Sequence, residues 1–239
     1  MKRINALLIG AFSIVSSIVH GDAYSENTEL SGPDPIVIAA DAQLELDVAA
    51  GATVTVSRVI SGAGKLVKKG GGTLILAARN LFEGGVDFVD GDIWVRSEGA
   101  LGSGSVTFTE KGARSIWFEA PDAAFDNDFL VDAVSEFAEP NNSVSKPGTF
   151  IFLSDTVMNG DITFTKGGYR GVGPGYNNQS TVVFNGNIDA PNIGRLYLVT
   201  YGTMVFNGWV KTQYTSFYIA ASASGVLQFN NPENRLGSN

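Results

Sequence analysis

Residues 60–108 read ISGAGKLVKKGGGTLILAARNLFEGGVDFVDGDIWVRSEGALGSGSVTF, and this stretch decides the fold. Apolar and β-branched runs at Thr73–Leu76, 93–95 and 106–108 are separated by glycine clusters. Their spacing starts at about twenty residues and then tightens. Short β-runs at regular spacing between turn signals predict a repeating β architecture, and a period in the twenties predicts a solenoid. A stacked coil is a scaffold first and carries an active site only as an addition.

Within the same stretch, Gly62-Ala-Gly64-Lys-Leu66-Val-Lys68 is followed by Gly70-Gly-Gly72-Thr73-Leu74-Ile-Leu76 and by Asn80-Leu-Phe82-Glu-Gly84. Gly91-Asp-Ile93 and Ala100-Leu101-Gly102-Ser-Gly104 complete the unit. This pattern resembles the autotransporter-associated β-strand repeat of passenger regions in bacterial proteins exported to the cell surface. The resemblance implies an all-β, right-handed parallel β-helix and an export route, and it says little about biochemical activity. It marks Gly62, Gly64, Leu66, Lys68, Gly72, Thr73, Leu74, Leu76, Asn80, Gly84, Leu101 and Gly102 as structural repeat positions. Leu81-Phe82 stands where the family favours Thr-Tyr, and Val86 where Thr is usual. Both changes keep β-formers.

Composition narrows the chemistry. The 239 residues contain no cysteine and a single histidine, His20. Disulfides and thiolate nucleophiles are therefore excluded, as are cysteine-ligated metals. No cofactor is indicated. The net charge is −8, from 16 basic and 24 acidic residues. Such a chain repels phosphate backbones, which argues against nucleic acid as a partner. Gly at 29 and Pro at 8 indicate many turns without the periodicity of collagen.

Lys2 and Arg3 precede an apolar run over residues 6–19, with small residues after it at Gly21 and at Ala23-Tyr24-Ser25. A basic start, a short apolar core and a small-residue exit predict a secretory signal peptide over 1–25. The run is shorter than the roughly 20 residues that span a bilayer. On this reading the leader takes His20 with it and leaves a mature chain, 26–239, expected not to span a membrane, and the resemblance implies that it is secreted or held at the bacterial cell surface or outer membrane.

The clearest repeat lies in the last third. Thr181-Val-Val-Phe184-Asn185-Gly186 aligns with Thr203-Met-Val-Phe206-Asn207-Gly208 at an offset of 22, and with Val226-Leu-Gln-Phe229-Asn230-Asn231 a further 23 on. A weaker member, Thr156-Val-Met158-Asn159-Gly160, lies upstream. Equal offsets predict one inward column of Val182, Met204 and Leu227 and another of Phe184, Phe206 and Phe229. They also predict that Asn185, Asn207 and Asn230 form an asparagine ladder at a corner, where Asn and Gly would accept a positive backbone angle. The alternative is a set of Asn-Gly hairpins, but Pro191 fits a following central strand poorly.

Residues 121–147 are acidic and rich in Ala, Asp and Asn. They read as an irregular insertion with a short helical turn over 129–137. The C-terminal Asn234-Arg-Leu236-Gly237-Ser-Asn239 echoes residues 99–104 and stops where a next strand is expected. An unpaired strand edge there would be a template for further pairing. The expectation is an incomplete segment, with any outer-membrane anchor supplied beyond Asn239.

No catalytic constellation emerges. Gly62-Ala-Gly64-Lys65-Leu66 lacks the first glycine and the Ser or Thr of a phosphate-binding loop. Gly84-Gly85-Val86-Asp87 is a lone partial match to a calcium-binding β-roll repeat. Asp126-Asn127-Asp128 with Asp132 lacks the glycine turn and distal Glu of a calcium loop. Asp122, Asp126, Asp128 and Glu136 are the acids available for glycosidic chemistry, which needs two carboxylates roughly 5 to 9.5 Å apart. Residues 167–178 carry Tyr169, Arg170 and Tyr176, the residue types that stack on and hydrogen-bond a ligand, with Tyr197, Tyr201, Tyr214 and Tyr218 following. The expected protein is a non-catalytic β-solenoid passenger segment, adhesive toward a surface glycan or another cell-surface protein. A polysaccharide-active enzyme and a glycan-binding module are the alternatives.

Overall fold

The computed structural model describes residues 14–15, 22–132, 150–165, 167–174, 178–191, 193–213, 215–219 and 225–237. Among them there is strand and turn and no helix. Alternation drives the local structure. In Gln43–Val48 the residues Leu44, Leu46 and Val48 are buried while Gln43, Glu45 and Asp47 face outward, the period of two that a pleated strand imposes.

Every described pairing is parallel, and each strand pairs with the strand about one coil before it and the one after it. On the first face, Asp22–Tyr24, Gln43–Val48, Lys65–Lys69, 86–88, 106–108, Phe129–Val131, Ile162–Phe164, Ile188–Ala190, Val210–Thr212 and Arg235–Leu236 stack in chain order. The second face stacks Thr28–Leu30, Thr53–Val56, Thr73–Leu76, 92–95, 115–118, Phe150–Phe152, Gly167–Pro174, Ile193–Thr200 and Thr215–Ile219. The third begins with Ile36–Ile38, Ile60–Gly62 and Leu81–Phe82, and Ile14–Val15 lies beside Val37 and Ile38. After a strandless turn at 97–104 it resumes with Ala123–Phe125, Thr156–Met158, Thr181–Phe184, Thr203–Phe206 and Val226–Phe229. The chain is a parallel β-solenoid. Its first two faces merge where the long strands Val86–Val95 and Val106–Phe118 bend through a corner, with register shifts around Gly91.

The core is a set of columns parallel to the axis. Phe184 stacks on Phe206 at 4.9 Å between ring centres and 7° between planes, and Phe206 on Phe229 at 4.8 Å and 9°. Val182, Met204 and Leu227 occupy the neighbouring inward column. Hairpins at the Asn-Gly pairs are ruled out: Thr181–Phe184 pairs in parallel with Thr203–Phe206, and Ile188–Ala190 lies on a different face. More rings meet in the middle coils, where Phe118 packs on Phe125, Phe129 and Phe152.

The interruption read at 121–147 is narrower than its composition suggests. Ala123–Phe125 and Phe129–Val131 are regular rungs, so the helical turn placed over 129–137 starts instead with a strand. The acids between these rungs sit at a corner, and Phe125, Phe129 and Val131 are buried beside them. Residues 133–149, including Glu136, lie outside the described residues.

Candidate functional site

The repeat residues are joints of the coil. Leu66, Leu74, Leu76 and Leu101 are fully buried in the core columns, and Thr73 begins a second-face strand. The glycines stand where neighbouring coils nearly touch. A Cβ on Gly62, Gly64, Gly72, Gly84 or Gly102 would lie within 2.1–2.5 Å of main-chain atoms of the preceding coil. Asn80, 5% exposed, ties three coils together. Its Oδ1 accepts the Ile60 N–H at 2.8 Å, and its Nδ2 donates to the Ala100 carbonyl at 2.6 Å.

Lys68 is the unexpected member of this set. It sits in an inward column between Leu46 and Phe88 and is fully buried. Its ammonium donates to the carbonyls of Lys69, Gly70 and Asp90 at 2.6–2.8 Å. These carbonyls belong to the corners around Gly70 and Gly91, both of positive φ, so the lysine fastens one corner to the next from inside. Alternation puts Lys68 on the inward side with Leu66, but it gives no hint of the carbonyls that receive its charge.

The longest polar array lies at the corner after the third-face strands. Asn230 Nδ2 donates to Asn207 Oδ1 at 2.7 Å, Asn207 to Asn185 and Asn185 to Asn159 at 2.8 Å each, and Asn159 to Asp126 Oδ1 at 2.7 Å. Both ends are closed. Asp126 accepts without needing an acceptor of its own, and Gln228 Nε2 donates to Asn230 Oδ1 at 2.9 Å. A second line runs two residues along. Asp128 accepts the Asp161 N–H, Asp161 that of Asn187, and Asn187 that of Trp209, at 2.7–3.1 Å. Between the two lines the glycines stack: a Cβ on Gly186 would meet Gly160 O at 2.1 Å, and one on Gly208 would meet Gly186 O at 2.1 Å. These glycines do not adopt the positive φ expected of them. Close approach of the coil beneath excludes a side chain there, not backbone handedness.

This array accounts for the acids considered for calcium or glycosidic chemistry. Asp126 and Asp128 occupy the ladder positions that Asn159 and Asp161 occupy one coil later. Asp128 and Asp161 are carboxylates on adjacent coils, but both are on the exposed surface and each has an oxygen committed to a backbone N–H. Asp132 accepts the hydroxyl of Thr165, and Asp122 is exposed in a turn at φ 53°. Among the described residues no group of three His, Cys, Asp or Glu side chains could hold a metal ion.

The tyrosine-bearing surface is only partly described. Tyr169 and Arg170 fall in the strand Gly167–Pro174, opposite Arg195 and Leu196. Tyr176 and Tyr214 lie outside the described residues. Tyr201 is 2% exposed and belongs to the interior, not to a recognition surface.

Two tryptophans form a feature the sequence did not signal, because their offset of 23 crosses a bent strand. Trp94 and Trp117 are register partners on the outer side of the second face, 5.0 Å apart and 17° from parallel. Ile75 pairs with Trp94 and Ile151 with Trp117. The two rings thus cover one face of each other, with an isoleucine as the next register partner on either side. Arg96 lies 5.7 Å from the Trp94 ring centre and binds Glu119 at 2.6 Å. The stacked pair and the Arg96–Glu119 ion pair join neighbouring coils of the second face.

Fold and corner together define a β-solenoid whose polar side chains mainly hold coil to coil. Nothing matches the chain in comparisons with protein-family models, curated proteins and solved structures. The family resemblance therefore rests on the motifs of residues 60–108 alone.

Proposed function

We propose that the chain is a non-catalytic β-solenoid scaffold, a passenger-like segment that is exported and held at or released from a bacterial cell surface. The observation that carries this reading is the corner array, in which amides and carboxylates bond from rung to rung. The leader pattern at Lys2, Arg3 and residues 6–19 supports export. The repeat positions Gly62 to Gly102 support the passenger likeness, since each has the joint role that a stacking unit requires. Function on this reading is reach and surface. No helix among the described residues is long and apolar enough to cross a membrane.

The test is expression of the full chain in a Gram-negative host. The expected product has lost its N-terminal segment at Gly21 or Ser25, is digested by protease added to intact cells or found in the medium, and releases no reducing ends from a polysaccharide panel. A cytoplasmic, unprocessed product would sink the export part. Turnover of any polysaccharide, lost with Asp128→Asn, would sink the scaffold part.

A further inference from the structure

One groove on the described surface belongs to neither the ladders nor the core. It lies on the first face where the last coils turn toward the second and has a volume of about 610 Å3. Its wall includes Asp189, Lys211, Gln213, Asn234 and Arg235. Parallel pairing sets Asp189 beside Lys211 and Lys211 beside Arg235. Successive layers about 4.8 Å apart thus present a carboxylate, an ammonium and a guanidinium in one outward line.

These cations are held differently from the others described. Lys65, Lys69, Arg79 and Arg96 each bind a carboxylate at 2.6–3.0 Å. Arg58 donates to the carbonyls of Asp34 and Pro35, and Lys68 is buried. Lys211 meets Glu233 only at 3.9 Å, with the glutamate side chain 71% exposed, a geometry worth little in water. Its ammonium lies 3.9 Å from the centre of the Trp209 ring, which steadies the long side chain at the groove. The Arg235 side chain is exposed, and no hydrogen bond or ion pair joins its guanidinium to a described residue. Asn234 is committed inward, accepting the Val210 N–H at 2.7 Å. A chain of net charge −8 thus keeps two neighbouring cations weakly neutralised at a concave surface, the kind of place where ligands bind.

We propose that this groove binds an acidic saccharide, its carboxylate or sulfate held by Arg235 and Lys211 and its ring hydroxyls by Asp189 and Gln213. The guanidinium offers a paired set of donors matched to either anion. The groove is far larger than an inorganic anion, and Asp189 on the same line is placed to accept hydrogen bonds from ring hydroxyls.

Calorimetric titration of the full chain tests this. The ligands are an oligogalacturonate, a κ-carrageenan oligosaccharide, which carries sulfate and no carboxylate, a neutral galacto-oligosaccharide of equal length and inorganic sulfate. At least one acidic sugar should bind with a Kd below about 1 mM. The neutral sugar and sulfate should bind roughly ten-fold more weakly or not at all, because the charge-assisted contacts or the hydroxyl contacts are then missing. Whichever acidic sugar binds tells carboxylate from sulfate. Arg235→Gln and Lys211→Gln, both on the surface, should each weaken binding about ten-fold with an unchanged circular dichroism spectrum. Failure of both acidic sugars to bind overturns the proposal. So does comparable binding of the neutral sugar or of sulfate alone, or undiminished binding by either variant. None of these results bears on the scaffold reading.

Discussion

Asn80 shows how much a single side chain contributes to this fold. Its amide satisfies a donor on the coil before and an acceptor on the coil after, in a site sealed from water. Asn80→Ala orphans both, and two unsatisfied buried groups predict a loss of about 2–4 kcal/mol, read as a lower urea midpoint at unchanged slope. Lys68→Met keeps the volume but removes the donor that three carbonyls share. It should cost about 2–3 kcal/mol by the same measurement, and a neutral result would mean that those carbonyls find other donors. The resemblance to a known repeat marked both residues as repeat positions. It was silent on their roles, because the Asp90 and Ala100 carbonyls and the Ile60 amide that they meet lie on other coils.

At the scale of the element, the asparagine array is a directional chain of donors with a closed acceptor at one end and a glutamine at the other. Such chains reinforce one another, so neighbouring members should be coupled. Asn185→Ala and Asn207→Ala each predict a loss of about 1 kcal/mol, and the double variant a coupling of about 0.5 kcal/mol or more. The pair Asn80→Ala and Asn207→Ala, on separate corners, should be additive. A ladder with no coupling between its neighbours would be geometry without energy. Three of its members were legible from the offsets of 22 and 23. Asp126 was not, because 33 residues separate it from Asn159 and the acids around it resemble a solvated loop.

Over the whole molecule, each coil touches only its neighbours, so stability follows a line of interfaces. The described coil at the C-terminal side is the thinnest. Val226 is 46% exposed, and Leu227 and Phe229 are only half-buried, whereas Val182 and Phe184 two layers inward are sealed. Hydrogen exchange should therefore rise from slow in residues 181–184 to fast in 226–229. Uniform protection across these strands would contradict a stack of nearest neighbours. The exposed pair Arg79–Glu98, with side chains 66% and 54% exposed, should contribute less than about 0.5 kcal/mol on this scale.

The sequence by itself determined that this chain is all-β, that it repeats every twenty-odd residues and that like residues stack, because alternation and offset are local properties of the chain. Only the tertiary structure decided which polar groups meet. The corner of Asp126 joins that of Asn159, two tryptophans close over one another, Lys68 turns inside, and Asp189, Lys211 and Arg235 line one groove. The reason is that coil lengths vary. Where the intervals between rungs differ, the partner across a layer is set by how each loop closes, and sequence spacing no longer names it.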